Sequence, residues 1–360
     1  STDGPAGAVT LARDERGRLT SRRDASGREL AYELDAHGRP LSVGARTGEQ
    51  VVWTRAEDGA VKAIESQDAA GRPARIEYER EDSGAVVGVE LACGASLRYA
   101  ETAGRDEVRT PWGPFVTTYD AQGQPAALAT PAGVFHFSYD EHGRRTETEY
   151  PNGLVVERAR DQAGRVVRQV ARHAGRIVSE VEAAWDERGA RTSTTRDGVA
   201  TRYAHDARGR LTRLERDGHV ATWTWNDDAD RTAETRDGAA RDVRFDERGR
   251  LVSRSGSGRT ERFVHDEAGR LIERTLVAQD GRIVGRDRFE HDGFGRLTRA
   301  ARAGRPIVDY TYDPLGRVLS RTVGGETTRF VHDGERLLAE LGPGARERVY
   351  VWGPADDEPL

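Results

Sequence analysis

One short phrase, D-x-x-G-R-[LV], returns along the whole chain, and no other feature limits the possible folds as much. It is clearest between Tyr203 and Asp228, in YAHDARGRLTRLERDGHVATWTWNDD. There an aromatic residue or His leads into Asp206, and after two intervening residues come Gly209, Arg210 and Leu211. The phrase recurs at Asp14, Asp161, Asp246, Asp266, Asp292 and Asp313. Its glycine repeats from Gly17 to Gly316 in steps of about 20 or 21 residues, a few of them near 25, with Asp230 in the glycine place once. Halfway between lies a second turn, from Gly27 to Gly344. Repeats with periods of about 20–50 residues decide the fold before any other signal does. A turn every ten residues or so leaves room for short strands, not for helices of ordinary length.

The turn chemistry has a mechanism. In D-x-x-G the Asp side chain can accept a hydrogen bond from the backbone two residues on, and the middle residues make a type I turn. Glycine then takes the left-handed position that closes the hairpin with a bulge. Asp230 can replace it because Asp tolerates that region better than most residues. The halfway pairs Asp197-Gly198, Asp217-Gly218 and Asp237-Gly238 suit two-residue type I′ hairpins. The structural turn residues are therefore Asp206, Gly209, Asp246, Gly249, Asp266, Gly269, Asp292, Gly295, Asp313 and Gly316.

The strands between the turns have no clean apolar face. Leu211, Arg213 and Glu215 fall on one side, and Thr212, Leu214 and Arg216 on the other. Only 36% of residues are hydrophobic and 32% are charged, too polar for a thick core along the full length. Cross-strand Arg–Glu, Thr–Thr and aromatic pairs contribute roughly 0.2–1 kcal/mol each and can hold a sheet that is wet on both sides. About 33 strands at about 4.8 Å make a ribbon on the order of 150 Å long. Open sheets rarely stay flat beyond about ten strands, so it must coil. Closed into one circle it would be about 50 Å across, which side chains cannot fill. The arithmetic points to an all-β antiparallel ribbon spiralling into a hollow shell.

Three hairpins, at about 60–83, 165–188 and 270–294, are some five residues longer than their neighbours. They are expected to have longer strands and to protrude past the ribbon edge as flaps. A coil turning once per five units would be a filled barrel only about 15 Å across. The polar strands argue against that, so the flaps should be spread around a wider coil, plugging or capping an opening.

Chemical constellations are sparse. The pairs His205-Asp206, His265-Asp266, His291-Asp292 and His332-Asp333 sit at one phase of separate units, where His fills the slot that Tyr fills elsewhere. That favours packing over a metal phosphohydrolase. Asn226, Asp227, Asp228 and Asp230 overlie a turn, and no bidentate Glu follows at the distance a calcium loop needs. Asp356, Asp357 and Glu358 read as a solvated or structural tail. Trp223 and Trp225 suit cross-strand packing better than sugar stacking. Cys93, the single cysteine, reads as a small packed residue. No G-x-S-x-G, P-loop or H-E-x-x-H stands in the chain. No catalytic residue, cofactor or metal is therefore assigned. Acids outnumber bases 61 to 56 and are interleaved with them, which speaks against a nucleic-acid partner. No apolar run of about 18 residues is present, so no membrane insertion is expected, and no signal peptide is visible. Methionine is absent even at position 1, which suggests an internal piece of a longer protein.

The units resemble the YD repeats of the Rhs (rearrangement hot spot) family, which includes the C component of insecticidal Tc toxins and the barrel of teneurins. The residues carrying the resemblance are Tyr119-Asp120, Tyr139-Asp140 and Tyr312-Asp313, each opening D-x-x-G. The segment Thr130 to Gly153, TPAGVFHFSYDEHGRRTETEYPNG, has the family's P-x-G…YD…GR…PNG phrasing. The end, FVHDGERLLAELGPGARERVYVWGPADDEPL, resembles the lead-in to the family's core. In many units His, Trp, Phe or Arg stands in the Tyr place. The resemblance implies one shell region over residues 1–360, about sixteen units, with 330–360 starting the core segment. It also implies a protein secreted or delivered by a bacterium. Its partners would be a C-terminal toxin domain, the rest of the parent shell, and delivery-machinery or chaperone proteins. An autoproteolytic segment and a variable toxin would follow the repeats, beyond Leu360. An adhesion or carbohydrate-binding scaffold is the alternative. A β-propeller is disfavoured, because packed blades need apolar faces on every strand.

Overall fold

The computed structural model describes residues 9–227, 231–354 and 358–360. Among the described residues there are 33 strands, from β1 (Thr10–Arg13) to β33 (Glu347–Val349). Each pairs antiparallel with the strand before and the strand after it in sequence, so the sheet is a single meander. Among the described residues the one helical element is a 3-10 turn at Pro343–Ala345.

The turns alternate between the two edges of this ribbon. The D-x-x-G-R turns define a main-turn edge. The unit at β19 (Val199–His205) and β20 (Leu211–Arg216) shows their geometry. Gly209 N–H donates to Asp206 O at 3.0 Å, and Asp206 N–H donates to Arg210 O at 2.9 Å. Gly209 has φ +78°, where a side chain would be strained. The register slips one residue at the strand end: Ala204 faces Arg213, but His205 faces Leu211. On the opposite, halfway edge, Asp217 and Gly218 both have positive φ, 51° and 78°, and Arg216 faces His219, a two-residue type I′ hairpin.

The ribbon coils until it meets itself. The halfway turn joining β2 (Leu19–Arg23) to β3 (Glu29–Leu34) lies against the main turn joining β25 (Arg259–His265) to β26 (Leu271–Ala278). One coil therefore takes about 23 strands, near 110 Å around and roughly 35 Å across at the backbone. That is narrower than a closed circle of all the strands and far wider than a five-unit barrel, and it leaves a hollow.

Apolar packing concentrates where the coils overlap. Ile76, Val89, Leu91, Ala95 and Leu97 pack with Val331, Leu338 and Ala339 from the last strands. Val43, Val51 and Ile64 form a second cluster with Phe294 against it. Leu128, Phe135 and Phe137 form a third, covered by Val351 and Leu360. The middle of the ribbon, β18 (Arg191–Arg196) to β24 (Leu251–Gly256), has no such cluster among the described residues and is held by polar pairs. Thr222 and Thr235 hydroxyls lie 2.6 Å apart, and buried Glu234 takes Arg231 and Arg236 at 3.4 and 2.7 Å.

The long hairpins do have longer strands: β6 (Val61–Gln67) with β7 (Pro73–Arg80), β16 (Val166–His173) with β17 (Arg176–Trp185), and β26 with β27 (Ile283–His291). They stand ten strands apart on a coil of about 23, so they are spread around it.

Candidate functional site, the seam between coils

Along the main-turn edge, five units are stapled to the next by the arginine of D-x-x-G-R. Asp206 Oδ1 accepts from the N–H groups of Arg208 and Arg210, both at 2.9 Å, and its Oδ2 accepts from Arg210 Nε at 2.7 Å. Arg210 Nη1 then reaches the next main turn, donating to Asn226 O at 2.7 Å, and its guanidinium lies over the Trp225 ring. Arg18, Arg165, Arg250 and Arg317 make the same reach, to the carbonyls of Asp35, Asp186, Asp266 and Gly334. The turn N–H groups, then the arginine side chains, hold the Asp14, Asp140 and Asp206 carboxylates below the usual range. Asp246 is pulled down to about 2, chiefly by the Arg250 side chain, and Asp35 to about 2, chiefly by the Arg39 N–H.

In five units an aromatic residue at the strand end completes the staple. Trp225 Nε1 donates to Leu211 O, Tyr139 Oη to Pro125 O, Tyr312 Oη to Leu297 O, Trp185 Nε1 to Val166 O and Trp352 Nε1 to Leu337 O. Each acceptor directly follows the arginine place of the preceding turn. Trp can stand for Tyr because it keeps the donor. The Arg210–Trp225 stack and this bond occupy Trp225, so its ring is a packed staple.

The seam redirects these parts. Arg270 binds its own Asp266 at 2.7 Å, but its outer nitrogens cross the gap to Asp24 Oδ2 at 3.4 Å and Ser26 Oγ at 2.9 Å. Arg28 crosses the other way, donating to Asp292 O at 3.1 Å and approaching Asp266 Oδ2 at 3.5 Å. Burial, then the nearby Arg270, pull the Arg28 guanidinium below its ordinary pKa. Further along, buried Glu49 accepts from Gly293 N–H at 2.9 Å. Burial works against this carboxylate, but the Thr47 hydroxyl and the Gly293 N–H hold it below its ordinary range. Gly293 is required for closeness: a Cβ there would lie 2.3 Å from Thr47 Oγ1 and 2.4 Å from Ala45 Cβ. Tyr99 Oη donates to Asp333 at 2.7 Å, Trp112 Nε1 to Glu347 at 2.9 Å, and Arg145 pairs with Glu358.

The remaining candidates fall into this frame. Asp206, Asp246, Asp266, Asp292 and Asp313 each clamp their own turn, and Gly209, Gly249, Gly269, Gly295 and Gly316 all have positive φ. The His-Asp pairs stay apart in separate turns. Burial lowers the pKa of His265, His291 and His332, which suits packed neutral rings. Cys93 packs beside the first cluster, and burial pushes its thiol up. Asp227 accepts from Arg208 and Asn226 O from Arg210; Asp228 and Asp230 lie outside the described residues, as do Asp356 and Asp357. Among the described residues no three His, Cys, Asp or Glu side chains are placed to share a metal ion. A cavity of about 220 Å³ lies between Phe115, Tyr119, Phe137, Asp333 and Trp352. Its Tyr119 phenol, hydrogen-bonded to Asp106, is pushed up to about 12, so it is no proton acceptor near neutral pH. No described helix is long and apolar enough to cross a membrane.

Comparison with known proteins agrees with this geometry. The family described as Teneurin YD-shell matches residues 158–335, and the RHS Repeat family matches residues 13–50 and 119–155. No curated protein matches. The Tc holotoxin pore of Photorhabdus luminescens has a similar fold, with TM-score 0.50 and 13% identity over 96% of this chain and 23% of that one. A TcdB2-TccC3-TEV structure and one of TcdB2-TccC3 without its hypervariable C-terminal region give TM-scores of 0.40 and 0.39 at 14% identity, with the same coverage. The chain thus spans about a quarter of those solved chains. With its D-x-x-G-R staples and self-closing ribbon, the chain belongs to the RHS/YD-repeat shell family.

Proposed function

We propose that this chain is a non-catalytic wall section, a single shell region over 1–360 whose last thirty residues lead into the family's core segment. The wall would enclose a C-terminal toxic domain of the parent protein. The observation that carries this is the seam: the ribbon meets its own edge, through ion pairs and an apolar cluster, around a hollow roughly 35 Å across. Every strong interaction traced above is used to hold turns or coils, which leaves none for chemistry. The partners are then the remaining shell, its cargo and the proteins that deliver it. They do not include nucleic acid, and this section does not enter a membrane. The reading places the protein among those a bacterium secretes or delivers. The test is limited proteolysis of the full parent protein. Its C-terminal domain should resist cleavage in the wild type and become sensitive when Gly293→Val and Arg270→Glu open the seam. Equal sensitivity in both proteins would overturn the proposal. Purified chain should hydrolyse no peptide, nucleic acid or phosphoester. An activity abolished by a point change within it would refute the non-catalytic assignment.

A further inference from the structure

The overlap of the coils encloses a space with chemistry of its own. β10 (Arg105–Thr110) and β11 (Gly113–Tyr119) pair with Val108 facing Phe115 and Asp106 facing Thr117, so Asp106 and Phe115 share one face of the sheet. The last strands cover that face. β32 (Arg336–Leu341) brings Leu338, and the stretch after β33 brings Tyr350 and Trp352. Between them lies the half-open cavity of about 220 Å³. It has the liquid volume of roughly seven waters, room for a small organic molecule.

Five aromatic rings line it: Phe115, Tyr119, Phe137, Tyr350 and Trp352. The polar tips of three are already spent, Tyr119 Oη on Asp106, Tyr350 Oη on Glu340 and Trp352 Nε1 on Leu337 O, so they offer a guest ring surface. Two carboxylates, Asp106 and Asp333, stand among the rings. Buried Glu107, Glu234, Asp287 and Asp313 each take an arginine. Among the described residues Asp106 and Asp333 form no ion pair; each is met by a phenol, Tyr119 or Tyr99. A phenol donates one hydrogen bond and brings no charge, while a carboxylate has about four acceptor positions. Both carboxylates therefore keep their charge and have lone pairs to spare. The Arg336 guanidinium also lines the cavity and has a partner of its own. Counted in full, the lining carries two negative charges and one positive, which leaves a place for one cation. No three described side chains are placed to share a metal ion, so an organic cation fits best.

We propose that this cavity binds a small organic ammonium ion, a primary amine carrying one apolar group. The ammonium donates to Asp106 and Asp333. The apolar group fills the space between Phe115, Phe137 and Trp352, and ring faces also attract the cation. The site needs the coils to overlap and needs no cargo, so it stands apart from the enclosing role. Its walls come from both sides of the overlap, so a bound amine favours the closed ribbon by mass action.

Isothermal titration calorimetry of the full chain near neutral pH tests this. Phenethylamine is the probe, beside phenethyl alcohol and phenylacetate, which keep the ring but replace the cation with a neutral hydroxyl or an anion. The amine should saturate the wild type with a Kd at or below about 1 mM. The alcohol and the acid should bind at least about tenfold more weakly. The double variant Asp106→Asn, Asp333→Asn keeps the side-chain shape and an acceptor for each phenol, and it should weaken the amine at least about tenfold. A wild type that the amine does not saturate, or that takes the alcohol as tightly, overturns the proposal whether or not the variant folds. An Asn variant that binds the amine undiminished does so too. Each of these results leaves the protease test of the shell untouched.

Discussion

Two turns of one phrase, Asp206–Arg210 and Asp266–Arg270, behave differently. In the open middle of the ribbon, Arg210 spends its outer nitrogen on the next turn of its own edge, and the Trp225 ring lies beneath it. At the seam, Arg270 gives up that reach and binds Asp24 and Ser26, while Arg28 takes the Asp292 carbonyl. The Asp–Arg clamp is the same in both. The ribbon thus needs no special device to close. It redirects the Arg270 guanidinium, and closure adds an apolar cluster that the middle lacks.

The largest expected effect separates the two regions by packing. Leu97 is fully buried at the seam, whereas Leu214 in the middle is half-buried. Leu97→Ala should cost about 2–5 kcal/mol in urea unfolding, and Leu214→Ala about 1 or less. Equal losses would mean the overlap is no core. Two glycines sharpen the contrast next. Gly209 is needed for its positive φ, with open space around it, and Gly293 for close approach across the gap. Valine at either should cost about 1–3 kcal/mol, while Arg208→Val stays within about 0.5 kcal/mol. Hydrogen exchange should tell them apart. Gly293→Val should expose amides around Glu49, and Gly209→Val only its own hairpin. If both variants loosen Glu49, closure and turn geometry are one unit.

A smaller difference is expected between the two arginines. Arg210→Leu should cost about 0.5–1 kcal/mol and Arg270→Leu about 1–2 kcal/mol, because only the second also unpairs Asp24 across the seam. Thermal melts of the two variants side by side would decide it. The smallest effect is that of pH. His265, His291 and His332 precede seam turns and have folded-state pKa values below 6.5, mainly through burial. The unfolded chain therefore binds more protons as pH falls through 6.5, and stability present above that value should decline toward pH 5. His291→Phe should flatten the decline in melting temperature. An unchanged slope would show that His291 does not contribute.

The beat of turns, the hairpin order and the left-handed glycines were legible because each depends on a few adjacent residues. Asp206 and Gly209 set their turn without help from afar. The extra length of the three flaps could be counted directly. The arginine staple was missed, although the sequence held a signal: an arginine follows the turn glycine in unit after unit, and Trp replaces Tyr where a donor is kept. The seam itself could not be read. Arg28 meets Asp266 across 238 residues, and nothing local distinguishes Arg28 from arginines that stay on their own side. Gly293, in a place other units give to larger residues, was the one trace of it. Coil width was bounded by polarity but not fixed, since it follows from where the edges meet.

The unbranched meander has a consequence for how such a protein is made. Every strand finds both of its ladder partners next to it in sequence, so a hairpin can form as soon as its residues leave the ribosome. Growth can proceed by simple addition at the C-terminal end, each new hairpin templated by the last. The seam alone must wait, because its two sides are synthesised about 240 residues apart. At typical synthesis rates of about 5–20 residues per second, a curved and open wall would stand for on the order of ten seconds or more before its edges touch. Anything translated after it would emerge beside a container that is already standing.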